Sequence, residues 1–143
     1  MLVEKKRFHV ESFHFELADL SIPVRIGYET YGTLNDSKDN VVLVCHYFTG
    51  MSHAAGRYKE DDMVQGWWDP LIGPGKAIDT DRFFVICSDV ISNINYYNMN
   101  VITTGPPTVD PRTGKPYGAS FPLFGTKDMV RLQKLLIDVS ELL

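Results

Sequence analysis

The sequence predicts one α/β domain in which an antiparallel hairpin precedes parallel strands and a helix. Three observations carry this prediction: two mixed polar and apolar stretches near the N-terminus, two almost wholly apolar runs at residues 41–45 and 83–87, and a helical apolar period from residue 126. Mixed stretches are typical of strands with one face in water, and continuous apolar runs are typical of strands covered on both faces. We therefore expect the sheet interior to be parallel.

The N-terminal hairpin is expected from residues 8–17 and 22–31, with residues 18–21 as the turn between them. Residues 67–73 are compatible with a short helical turn before the breaker formed by Gly73, Pro74 and Gly75. The Gly-Pro-Gly-Lys stretch lacks the pattern of a phosphate-binding loop and is interpreted as a turn. Trp67 and Trp68 have two open interpretations, as core anchors of a loop or as a wall of a channel.

A helix is expected at the C-terminal end, with Thr126 as its N-cap and Asp128 in its first turn. Its apolar stripe is formed by Met129, Leu132, Leu136, Val139 and Leu143. No strand follows to receive this stripe. The chain, residues 1–143, is thus expected to be the N-terminal part of a single domain that is incomplete at the C-terminus.

Composition narrows the classes of partner. The chain has 143 residues, is 44% hydrophobic, and carries 14 basic against 18 acidic residues without long runs of one sign. Such a charge distribution gives no basis for binding nucleic acid or an anionic membrane. No signal-peptide core or membrane-spanning run is present, so we expect a cytoplasmic protein. Cys45 and Cys87 lie in apolar runs and are expected to be small core residues in a reducing compartment.

The transition at residues 41–56 is the most informative feature of the sequence. A buried-type strand runs directly into a loop of small residues that contains His46 and His53. A loop at the end of a strand can aim backbone N–H groups at a developing oxyanion, which is the largest contribution to much acyl-transfer catalysis. The two histidines lack a third ligand at suitable spacing, so no metal site is predicted, and we expect them to line a pocket or to support the loop.

Ser52 resembles a nucleophile because residues 50–54 read Gly-Met-Ser-His-Ala, a loosened Gly-x-Ser-x-Gly elbow. It lies several residues beyond the strand end, however, and no histidine follows position 53, where the chain order of a hydrolase triad requires one. His53 is adjacent in sequence, and adjacent side chains of an extended segment point apart. No nucleophile or triad partner is therefore assigned within this chain.

Several blocks, in one order, resemble the N-terminal part of the homoserine O-acetyltransferase family, a branch of the α/β-hydrolase fold. The matching blocks are residues 28–35, 44–50 with His53 and Gly56, 66–69, 72–76, 78–88, 103–106, 113–118 and 128–131. They span nearly the whole chain but only about the first two-fifths of a typical member, which exceeds one ordinary small domain.

The resemblance implies ping-pong transfer of an acetyl group from acetyl-CoA, through an acyl-serine, to the hydroxyl of L-homoserine in methionine biosynthesis. By similarity to the family's His-Ala-Leu-Thr-Gly loop, the backbone N–H of Phe48 is the candidate oxyanion donor, and Thr49, Gly50 and His53 are candidate substrate-binding residues. The serine and its partners would lie beyond Leu143, so the chain alone is expected to be inactive. No bound cofactor is implied, the substrates are small molecules, and the complete protein is expected to be a homodimer.

Residues 92–102 depart from the family, whose members carry a glycine-rich segment with a cysteine before Thr-Thr-Gly-Pro. Here asparagines and tyrosines occupy this position, and bulkier side chains would narrow or line a nearby cavity differently. A different acyl donor or acceptor therefore remains open. Two further alternatives are an esterase-like hydrolase on the same scaffold and a non-catalytic fragment that pairs with another polypeptide.

Overall fold

The computed structural model describes residues 1–140 and contains a four-stranded mixed sheet, two small two-stranded sheets and a C-terminal helix. The elements, in chain order, are β1 Lys6–Phe15, β2 Leu20–Tyr31, β3 Val41–Val44, β4 Ile72–Gly73, β5 Ile78–Asp79, β6 Phe84–Ser88, β7 Val109–Asp110, β8 Lys115–Pro116, a 3-10 helix at Gly118–Ser120, and α1 Thr126–Ser140.

The main sheet has the strand order β1-β2-β6-β3. Strands β1 and β2 form the expected antiparallel hairpin, with a bulge between Val10 and Phe13. Strand β6 is parallel to β3, in a register that pairs Val44 with Cys87, and antiparallel to β2. The expected parallel interior is thus confirmed for the β3–β6 pair, while the sheet as a whole is mixed.

Both faces of the sheet are covered, and β6 shows how. Ile86 belongs to an apolar cluster with the hairpin and with Leu132 and Leu136 of α1. Val85 and Cys87, which point to the other face because strand side chains alternate, belong to a second cluster with Ala54 and other loop residues. The helix therefore covers one face, and the segment after β3 covers the other.

The predicted apolar stripe is confirmed at Leu132 and Leu136, which are buried. The position of Asp128 in the first turn of the helix is confirmed as well. Leu143 lies outside the described residues, as does the side chain of Val139. Thr126 is not the N-cap: the helix begins there, and the carbonyl of the preceding Gly125 accepts the first hydrogen bonds. The Asp128 carboxylate accepts a hydrogen bond from the Gly125 N–H at 3.1 Å, as in a capping box.

Two other boundaries differ from the sequence prediction. The hairpin turn spans residues 16–19, with Asp19 at a φ of 48°, so Leu20 and Ser21 belong to β2. Strand β3 ends at Val44, which leaves Cys45 exposed, and the prediction of a core role for Cys45 is wrong. Cys87 is buried as expected, and burial raises the pKa of its thiol. Within residues 1–140, no helix is both long and apolar enough to cross a bilayer.

Candidate active-site loop

The loop after β3 contains a tight turn, residues 47–50, which we call the oxyanion turn. The Gly50 N–H donates to the Tyr47 carbonyl at 2.7 Å, and Nδ1 of His46 lies 2.7 Å from the same oxygen. A Cβ on Gly50 would lie 3.1 Å from both the His46 Cβ and the Tyr47 oxygen. The turn is therefore compact, and glycine permits its close approach to His46.

Phe48 stands at the tip of this turn and is 84% exposed. It borders a cleft of about 250 Å³ together with His46, Asn93 and Met129. Among residues 1–140, no group accepts a hydrogen bond from the Phe48 N–H. A backbone donor in the loop that follows a sheet strand, in a residue beside a cleft and without an internal acceptor, is suited to bind a ligand oxygen.

Behind the turn lies a buried ion cluster, which we define as Lys5, Glu29, His53, Tyr58 and Asp89. Glu29 is fully buried: its Oε1 lies 2.8 Å from Lys5 Nζ and accepts the Tyr58 hydroxyl at 2.7 Å, while its Oε2 lies 3.0 Å from His53 Nδ1. The Asp89 carboxylate lies 3.7 Å from Lys5 Nζ. Buried charges require such partners, because an unpaired ion in the interior is very costly.

Two opposing effects act on the Glu29 carboxylate. Burial raises its pKa, whereas the hydrogen bonds from His53, Lys5 and Tyr58 and the Lys5 charge lower it. The lowering effects win, and the pKa of Glu29 lies below its usual value. Glu29 is thus held as an anion that organises the groups around it.

The cluster fixes the backbone that follows the oxyanion turn. Ser52 is fully buried, its hydroxyl contacts Lys5 Nζ, and its N–H donates to Asp89 at 2.8 Å. The buried hydroxyl of Tyr31 donates to Glu29 at 2.8 Å and accepts the N–H groups of residues 54 and 55 at 3.0 and 3.1 Å. Because Ser52 is fully buried, a substrate cannot reach its hydroxyl, which agrees with the expectation that it is not the nucleophile.

The candidate binding residues fall into two places. Thr49 and Gly50 lie in the oxyanion turn beside Phe48, with Thr49 exposed and Gly50 buried. His53 is buried, stacks on Tyr58 at a centroid distance of 4.3 Å, and has its Nδ1 occupied by Glu29. Their roles in substrate binding stay predictions, and the structure gives His53 a supporting contact.

Trp67 anchors the loop from its outer side. Its Nε1 donates to the Met51 carbonyl at 2.9 Å, its ring meets Tyr47 edge to face at 5.4 Å, and it packs on the second apolar cluster. These contacts favour the anchoring interpretation. Within the described part of the chain, no three or more His, Cys, Asp or Glu side chains are grouped so as to hold a metal ion.

Sequence reasoning missed Lys5, Glu29 and Asp89. Lys5 stands in a charged run, Glu4 to Arg7, that is typical of a solvated segment. Glu29 offered a weak signal, because it is a lone acid in a strand whose neighbours Tyr28 and Tyr31 are apolar in character. These three residues come together through strand pairing, which the sequence alone did not show.

No family model matches the chain. A homoserine O-acetyltransferase of Deferribacter desulfuricans is 53% identical over 128 residues, which cover 90% of this chain and 32% of that protein. One from Methanosalsum zhilinae is 51% identical over 96% of this chain and 27% of its own length. The chain thus spans about a third of the length of these curated relatives.

Two solved structures match nearly the whole of this chain. The crystal structure of homoserine O-acetyltransferase from Bacillus anthracis matches 99% of this chain and 38% of its own, with a TM-score of 0.95 and 50% identity. Esterase E22 matches 98% of this chain and 38% of its own, with a TM-score of 0.93 and 51% identity.

The strand order and the loop after β3 are those of the N-terminal part of an α/β-hydrolase domain. Within that class, the chain corresponds in sequence and fold to the N-terminal portion of the homoserine O-acetyltransferase family.

Proposed function

We propose that this chain supplies the oxyanion-binding side of a serine acyltransferase that moves an acetyl group from acetyl-CoA to the hydroxyl of L-homoserine. The observation that carries the proposal is the Phe48 N–H, which has no acceptor within residues 1–140 and belongs to a residue that borders a cleft in the loop after β3. The names of the relatives support the choice of donor and acceptor.

The chemistry assigned to this chain is electrostatic. When a serine hydroxyl attacks the thioester carbonyl, negative charge collects on the carbonyl oxygen, and the Phe48 N–H would donate to that oxygen. Losing one such donor typically raises the barrier by about 2.7–4 kcal/mol. The C–S bond then breaks, and CoA leaves as its thiol with the proton that the histidine proposed to lie outside this chain took from the serine. The acceptor hydroxyl next attacks the acyl-serine, giving its proton to the same histidine, and the acetyl ester leaves as the serine regains its hydroxyl, in a site that must keep water away.

The serine, its histidine and its acid are proposed to come from a region outside residues 1–143, since the relatives are about three times as long as the part matched here. The 143-residue chain by itself is then expected to transfer no acetyl group. No tightly bound cofactor is part of the proposal. We further propose small-molecule substrates, a cytoplasmic location and a homodimeric complete protein, the last to be measured by light scattering.

A second function is an esterase on the same scaffold, and the 51% identity to esterase E22 specifically favours it. The two functions differ in what accepts the acyl group. Protein expressed from the complete reading frame should be incubated with acetyl-CoA, with and without L-homoserine, and the products identified by mass spectrometry. O-acetylhomoserine supports the transferase, acetate in both mixtures supports the esterase, and no acyl-enzyme in either mixture would contradict both.

A further inference from the structure

The oxyanion turn is held from one side by two asparagines of the segment after β6. Asn95 Nδ2 donates to the carbonyls of Thr49 and Gly50, at 2.9 and 3.2 Å. Asn93 Nδ2 donates to the same Gly50 carbonyl at 3.1 Å and lies 3.5 Å from His46 Nε2. The backbone carbonyls of the two residues after Phe48 are therefore bound by side-chain amides.

Both amides have a fixed orientation. Asn93 is 3% exposed, and its Oδ1 accepts the backbone N–H of Asn95 at 2.8 Å, which leaves its Nδ2 to face Gly50. The Oδ1 of Asn95 accepts the Tyr97 hydroxyl at 3.3 Å. An asparagine amide has two donors and one carbonyl acceptor, and in both residues each end has a partner of the right kind.

Asn93 is itself held by contacts outside the oxyanion turn. The Asn93 N–H donates to Oγ1 of Thr103 at 3.2 Å, and that hydroxyl donates to the Val90 carbonyl at 2.7 Å. Val90 lies two residues beyond the end of β6. The position of the amides is thus set by contacts with the segment just after β6, and not by the turn that they bind.

The tip of the turn needs such support because the side chains of Phe48 and Thr49 supply little packing. Phe48 is 84% exposed, and Thr49 is exposed as well. An oxyanion donor is effective only when its direction is fixed before the reaction, so that no reorganisation is required as charge develops. Because the side chains of Phe48 and Thr49 pack little, the direction of the Phe48 N–H depends on the contacts of Tyr47 before it and on the backbone contacts of the two residues after it.

We infer that Asn93 and Asn95 are positioning residues, which orient the Phe48 N–H by holding the carbonyls of Thr49 and Gly50. The inference rests on the proposed function, because it assigns these amides to the same oxyanion site. It also gives a role to part of residues 92–102, the segment expected from the sequence to depart from the related family.

The test uses protein from the complete reading frame with Asn93→Asp and, separately, Asn95→Asp. Each change keeps the side-chain shape and one acceptor oxygen but places a second oxygen against the loop carbonyls. Asn100→Asp is the matched control, since Asn100 is exposed in the same segment and its side chain has no hydrogen bond within residues 1–140. Acetyl transfer from acetyl-CoA to L-homoserine and hydrolysis of p-nitrophenyl acetate are measured.

Both variants should lower kcat about ten-fold or more, because small misplacement of a catalytic group is costly, while KM for acetyl-CoA stays within about two-fold. Inhibition by a trifluoromethyl ketone analogue of the acetyl group, which becomes an oxyanion on the serine, should weaken by a similar factor. Simple loss of folded protein would reduce the rate without changing that inhibition constant. The Asn100→Asp control should match the parent protein.

Variants with the parent kcat, or with a changed KM alone, would overturn the inference. If buried Asn93→Asp does not fold, the half-buried Asn95→Asp decides the matter. If the parent protein forms the acyl-enzyme and the variants behave like it, only the role of Asn93 and Asn95 is refuted. If the parent protein never forms an acyl-enzyme, the proposed function is refuted together with that role.

Discussion

His53 Nδ1 lies 3.0 Å from Oε2 of the buried Glu29, and this contact joins the loop after β3 to the C-terminal end of β2. The same carboxylate accepts the hydroxyls of Tyr31 and Tyr58 and pairs with Lys5. One side chain therefore connects the N-terminal segment, the hairpin and the loop behind the oxyanion turn. Its removal is expected to affect the whole loop.

Glu29→Gln should lower the free energy of unfolding by about 3 kcal/mol, because it removes one partner of a buried ion cluster and leaves Lys5 less compensated. Denaturant unfolding of the protein and the variant measures the difference. Glu60→Gln is the control: Glu60 is exposed and unpaired in the described residues, so its change should stay within about 0.5 kcal/mol. Equal effects of the two substitutions would contradict the assigned role of Glu29.

Stability should fall on acidification in a way that depends on Glu29. Its folded pKa is lowered, so near the ordinary glutamate pKa of about 4.3 the unfolded chain binds more protons than the folded one. The contribution of Glu29 is therefore full above that value and is lost as the pH falls through the lowered pKa. Unfolding measured from about pH 7 to about pH 3 should show a shallower loss in Glu29→Gln than in the parent. Parallel curves for the two proteins would show that Glu29 is not the titrating group.

Gly66→Ala should destabilise the protein strongly. A Cβ at Gly66 would overlap the backbone of Ala54 and Ala55, at a place where the chain cannot yield without moving the loop. We expect a loss of about 3 kcal/mol, the upper part of the range for overpacked sites. At Gly114, which has a φ of 69° and no atom near a Cβ, alanine should cost only the backbone strain of about 1 kcal/mol. Thermal and denaturant unfolding compare the two, and a larger effect at Gly114 would refute the packing argument.

The two cysteines should differ in reactivity. Cys45 is exposed, whereas Cys87 is buried in β6, where burial also raises the pKa of its thiol and disfavours the reactive thiolate. Iodoacetamide should therefore modify Cys45 in the native protein and Cys87 only in denaturant, as read by intact mass and peptide mapping. Cys45→Ser should abolish native labelling within residues 1–143. Native modification at Cys87 would show that β6 is accessible.

The hairpin and the β3–β6 pair were predictable because their side-chain patterns reflect burial on one face or on both. The end of β3 was not, since a strand stops where its pairing stops, and Val44 with Cys87 is the last pair of that ladder. Cys45 continues the apolar run in sequence yet lies beyond the ladder. Apolar character alone therefore placed it in the core by mistake.

The site was predictable only in part. The change from apolar run to small-residue loop located the turn that contains Phe48, but the sequence did not reveal what supports it. Lys5, Glu29 and Asp89 are far apart in the chain and meet through the pairing of β2 with β6 and through the segment before β1. Asn93 and Asn95 were visible as amides in an unusual segment, and their partners required three-dimensional structure.

The residues that precede β1 have a practical consequence. The Met1 carbonyl accepts the Arg57 N–H at 3.0 Å, the Val3 N–H donates to the Arg57 carbonyl at 2.9 Å, and Lys5 follows two residues later. Removing residues 1–5 to aid crystallisation would thus take away contacts that hold Arg57 and the ion cluster behind the oxyanion turn. Affinity handles and proteolytic clipping at this terminus should be avoided when the protein is prepared for assay.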